Sequence, residues 1–122
     1  MKLNHFLNGL GLKYLPAELR PTFSTTTHFI ERLLVDRADN LNTLWVSTVF
    51  TRLYRDRLCE FLYLLETAPD RGRINIQLSG RSIALIKEDH EYGMTIKLVT
   101  CFTGVALNPT LIYSILSLDT EA

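Results

Sequence analysis

The chain is poor in the residues that staple, bend or break a fold, with two cysteines, four prolines and six glycines in 122 residues. Cys59 and Cys101 have no Cys-x-x-Cys spacing and lie in apolar surroundings, so neither a disulfide framework nor a zinc site is indicated; buried free thiols are expected. An excess of one charge is also missing. The 13 Lys and Arg balance the 13 Asp and Glu, so no global field draws the molecule toward nucleic acid or an anionic membrane, and any such contact must be a local patch. No uninterrupted apolar run approaches about 18 residues, and polar residues interrupt Met1-Lys2-Leu3-Asn4-His5-Phe6 too early for a signal peptide. The expectation is a cytoplasmic protein, or one in the host cytoplasm if a phage encodes it, with no membrane contact. A Gly-rich phosphate loop, GxSxG, HExxH and paired Cys/His spacing are all absent, which sets aside nucleotide hydrolysis and metal chemistry and predicts no metal and no cofactor. The acids Glu88, Asp89 and Glu91 lack calcium-loop spacing and read as a solvated turn.

What is present suffices for one core. Hydrophobic residues make up 47% of a chain whose length fits a single domain spanning 1–122, and no repeat or linker divides it. Nine of the 13 cations are Arg, the side chain suited to forked contacts with carboxylate or phosphate, although pairing with Asp and Glu on helix faces explains the same bias.

The hydrophobic period changes midway. Phe6, Leu7 and Leu10 predict a short helix over Asn4–Leu12 that ends near Gly9 or Gly11, and Pro16 and Pro21 bracket a turn. Ser24 to Thr27 offer N-cap hydroxyls to a helix over His28–Arg37, and Thr43 to about Thr67 carries a helical stripe from Val46 to Leu65. After Pro69-Asp70-Arg71-Gly72 the period falls to two. Ile74–Leu78, Ser82–Lys87 and Met94–Thr103 predict a three-stranded antiparallel meander, with Ser79-Gly80 as one turn and 88–93 as a polar loop. Asn108-Pro109 then caps a helix with Leu111, Ile112, Ile115 and Leu116. The fold class is therefore α+β: two or three N-terminal helices on a three-stranded meander, with a C-terminal helix from Pro109 to Leu118 that either completes the core or pairs two copies as a homodimer.

His28 and Arg32 lie four apart on one helix face. Imidazole and guanidinium there would suit metal-independent RNA cleavage, in which a 2′-OH loses a proton, the leaving oxygen gains one and fixed positive charge steadies the phosphorane. Helix packing with an Arg32–Asp36 pair accounts for the same residues. His90, among the carboxylates Glu88, Asp89 and Glu91, has a surface role as its plain alternative.

The segment His28-Phe29-Ile30-Glu31-Arg32, followed by a long helix and then three strands, resembles the layout of the RegB-like phage endoribonucleases and their wider group, the RelE-like or barnase–EndoU–colicin–RelE ribonuclease fold, over roughly Thr26 to Thr103. The resemblance implies helices on one side of a sheet and RNA phosphate bound in a cleft beside it, with His28 and Arg32 matching the first-helix motif. The family's second histidine falls at Thr51, which cannot act as a base at neutral pH; the resemblance then leaves His90, Lys87 or Tyr92 to replace it. Its last-strand polar residues would be Thr100 and Lys97, which simple alternation puts on opposite faces unless a bulge intervenes. The expected site is His28, Arg32, His90 and Thr100 for catalysis, with Arg52, Arg81, Lys87 and Lys97 holding RNA. The competing expectation is a non-catalytic module that binds a host protein, such as a host-takeover factor, an immunity protein or a secretion chaperone, which the neutral charge and high apolar content suit.

Overall fold

A computed structural model describes residues 3–35, 42–91, 93–103 and 113–119. Asp36, Arg37, Tyr92 and the Asn108–Ile112 part of the expected C-terminal helix lie outside the described residues.

Helix α1 (Leu3–Tyr14) runs through both glycines rather than ending at them. It continues because Leu3, Leu7 and Leu10 are all buried, and Arg20 returns to cap its end, with Nε donating to Gly11 O (3.2 Å) and Leu15 O (2.8 Å). A Cβ at Gly11 would meet Arg20 Cγ at 3.4 Å, an ordinary contact, so that return does not require glycine there. A 3-10 turn, Ala17–Leu19, sits between the prolines as expected.

Next comes a strand the hydrophobic pattern missed, β1 (Thr22–Thr25), and then α2 (Thr27–Val35). The expected long helix is two, α3 (Asn42–Asp56) and α4 (Leu58–Thr67), broken at Arg57. Their buried stripe supplies Val46, Phe50, Leu53, Tyr54, Phe61 and Leu65 to one core. Cys59 is exposed while Cys101 is buried, so the expectation of two buried thiols holds for one.

The meander is present as β2 (Arg73–Leu78), β3 (Arg81–His90) and β4 (Gly93–Thr103), but the three-stranded sheet with a trailing helix is overturned. Five strands form one mixed sheet in the order β1-β4-β3-β2-β5, with β1 parallel to β4 and β5 parallel to β2. Strand β5 (Ser114–Ser117) occupies what the helical spacing assigned to the C-terminal helix. The reason is burial: Leu116 and Leu118, two apart, enter the core while Ile115 stays outside, the period of a strand. β3 is longer than expected, because Glu88, Asp89 and His90 remain paired to Thr95, Met94 and Gly93 instead of looping out. The Ser79-Gly80 turn has both residues at positive φ (56° and 74°), the geometry of a two-residue hairpin turn.

A register shift between Ala84 and Leu85 leaves Val99 as an extra residue in β4. The bulge moves Cys101 to the core side and Phe102 to the other, reversing the simple alternation. It also puts Lys97 and Thr100 on one face, opposite Ile86 and Ala84. No helix among the described residues is long and apolar enough to cross a membrane.

Candidate functional site

The sequence-read residues do not converge on one place. His28 is exposed on the first turn of α2, and Arg32, one turn on, is exposed with Nε 3.5 Å from Cys101 O. The start of α2 is fixed level with Leu98 and Val99, since Thr26 N–H donates to Leu98 O (3.0 Å) and Thr26 Oγ1 to Val99 O (2.9 Å). Thr100 lies at that level, half-buried, with Oγ1 3.4 Å from Cys101 O.

His90 stands at the hairpin end of the sheet, where its Nε2 and Thr95 Oγ1 are 2.8 Å apart. Thr95 and Val99 are about four strand residues apart, roughly 13 Å, so the two histidines mark different ends of β4. Near His90, Lys97 donates to Glu88 Oε2 (3.0 Å), and Arg71 lies 3.6 Å from the same oxygen. Pairing and pleat put Glu88, His90, Lys97 and Thr100 on the sheet face away from the core residues Leu85, Ile96 and Leu98. That face is closed at its centre, where Asn75, Ser82 and Ala84 are fully buried. Glu88 and Arg71 are the members of this cluster that the sequence reading missed. Continuing the period of two through Lys87-Glu88-Asp89-His90 would have signalled Glu88.

The other expected phosphate ligands have structural partners. Lys87 is buried, with Nζ donating to Ala68 O at the end of α4 (2.8 Å) and lying 3.4 Å from Asp89 Oδ1. Arg81 stacks over the Trp45 ring with Cζ 4.3 Å from its centroid. Arg52 Nη2 donates to Leu118 O (3.3 Å). Of three hollows lined by described residues, none includes His28, Arg32, His90 or Thr100.

One of these hollows lies between α4 and the edge strand β5, about 320 Å³, with Cys59, Tyr63 and Leu64 on one wall and Ser114, Ile115 and Leu116 on the other. Local bonds build it. Arg57 Nη1 donates to Ser117 O (2.9 Å) at one end of the strand, and Tyr113 Oη donates to Thr67 Oγ1 (3.0 Å) at the other. Arg57 also forks onto Glu60, which holds that carboxyl below the usual carboxylate range. Leu118 N–H donates to Gln77 O (2.8 Å) in the register that pairs Ile74 with Ser114, so alternation turns Ser114 and Leu116 toward β2 and the N–H and C=O of Ile115 and the N–H of Ser117 outward, the Ser117 carbonyl being taken by Arg57. Above them Tyr63 is 65% exposed and Ile115 47%.

The opposite edge of the sheet differs. On β1 the outward Phe23 N–H is taken by Asn8 Oδ1 of α1 (2.9 Å), so the helix blunts that edge. No family model, no curated protein and no solved structure matches the chain.

Proposed function

We propose that this protein is a non-catalytic protein-binding module that takes an extended segment of a partner as a further strand beside β5. The observation that carries the reading is the α4–β5 groove, where outward backbone groups of an edge strand stand beside an apolar hollow. Main-chain bonds to Ile115 and to the Ser117 N–H would supply affinity, and an apolar side chain seated against Tyr63, Leu64 and Ile115 would supply selection. A net charge of zero suits a protein partner better than a polyanion.

A library of random linear peptides displayed on phage and selected on the full chain tests this. Selected peptides should slow labelling of the exposed Cys59 thiol and lose about tenfold or more in affinity for Ile115→Asp, whose fold is checked by circular dichroism. Peptides that bind Ile115→Asp equally well and leave Cys59 unprotected would refute it.

A second reading, metal-independent RNA cleavage of the RegB-like type, draws on the hairpin end of the sheet. Glu88 and His90 share a face two residues apart, a spacing suited to a base and an acid on one phosphodiester, with Lys97 and Arg71 beside them to meet its charge. Its test is incubation with mixed RNA in EDTA. Cleavage lost in His90→Ala favours this reading, loss in His28→Ala returns the site to α2, and an inert wild-type protein ends both.

A further inference from the structure

A second hollow, about 400 Å³, lies between α1 and α3, away from the β5 groove, and its lining is graded from apolar to cationic. At one end are Phe6 and Leu44, both large apolar side chains exposed to solvent. At the other are Arg52 and Arg55, with threonine hydroxyls between. Leu44, Thr48, Thr51 and Arg55 recur at helical spacing along one stripe of α3, so the grade runs about 16 Å at 1.5 Å per residue.

No carboxylate lines this hollow. Asp56 holds Arg55 through Nε and Nη2 from outside it (2.8 and 2.9 Å), and Arg52 gives one bond to Leu118 O, which leaves donors on both guanidinium groups. Thr48 donates back to Leu44 O (2.9 Å), while the Thr51 hydroxyl has no partner among the described residues.

We propose that the α1–α3 hollow binds an amphipathic oxyanion, with a phosphate or carboxylate head between Arg52 and Arg55 and an apolar body against Phe6 and Leu44. Guanidinium forks match both head groups, two adjacent ones favour an anion over a neutral alcohol, and the Thr51 hydroxyl supplies a further donor. The apolar end distinguishes this ligand from a free inorganic ion, which would leave Phe6 and Leu44 uncovered.

Amide resonances of residues 44–55 in the full chain, followed at low salt, report binding. Hexyl phosphate, hexanoate, hexanol and inorganic phosphate are the probes. Saturable shifts with hexyl phosphate or hexanoate, at least about tenfold weaker with hexanol and with inorganic phosphate, are expected, and the tighter of the two heads names the class. Arg55→Gln lies at an exposed position and should weaken binding about tenfold without changing the fold; Thr51→Val should weaken it less. The inference is overturned by no saturable shift up to about 10 mM, by hexanol binding as tightly, or by unchanged affinity in Arg55→Gln.

Discussion

The hydroxyl of Thr26 joins α2 to the bulged Val99 of β4: it accepts from Phe29 N–H (3.0 Å) and donates to Val99 O (2.9 Å). One side chain thus caps a helix and satisfies a carbonyl that the bulge removes from the ladder. Thr26→Val loses both bonds and should cost about 1–3 kcal/mol in urea unfolding, whereas Thr26→Ser should cost well under half as much.

Tyr54 is almost wholly buried, edge-on to Tyr14, and its hydroxyl has no hydrogen-bond partner among the described residues. Tyr54→Phe removes an unsatisfied polar atom and keeps the ring, so it should be neutral or stabilising by up to about 1 kcal/mol. Burial raises the Tyr54 pKa in the folded state. The unfolded chain therefore releases its proton first as pH climbs through the unfolded tyrosine range near 10. The wild type should lose stability there, and Tyr54→Phe should lose less over the same interval.

Lys87 caps the end of α4 through Ala68 O from a buried position. Lys87→Met leaves that carbonyl and Asp89 without their partner and should destabilise by about 2–4 kcal/mol. If the residue instead served an RNA ligand, the melting temperature would stay near wild type.

Two exposed ion pairs set a modest acid limb. Arg57 lowers the Glu60 pKa and Arg55 lowers that of Asp56, chiefly through their hydrogen bonds. A carboxyl depressed in the folded state stabilises above its unfolded pKa, near 4, and that contribution is lost as pH falls through the folded value. Glu60→Gln should therefore melt below wild type at neutral pH, converge with it in acid, and show a smaller gap in high salt.

The helices and the meander were legible because each carries enough turns or alternations to fix its period. Short elements were not. Ser114–Ser117 spans four residues, too few to separate a helix from a strand, and Leu111, Ile112, Ile115 and Leu116 happen to fit helical spacing. Thr22–Thr25 contains one apolar residue, and its pairing residues in β4 begin 73 positions further on, at Thr95. The Val99 bulge has no glycine to mark it, so simple alternation puts Lys97 and Thr100 on opposite faces where the sheet has them on one. Of the expected site, the exposure of His28 and Arg32 followed from their helix face. The α4–β5 groove was invisible, because it depends on a strand that the pattern read as helix.

The two outer strands attach to the sheet across long stretches of chain, β1 to residues 95–98 and β5 to residues 74–77. Synthesis on a ribosome therefore yields the first quarter of the protein well before its sheet neighbour exists. During that interval Phe23 has only helices for shelter, α1 and Phe50 of α3 among them. Assembly should begin with the central hairpins and close at the flanks, which makes the N-terminal segment the part most exposed to chaperones and proteases while the molecule is still being made.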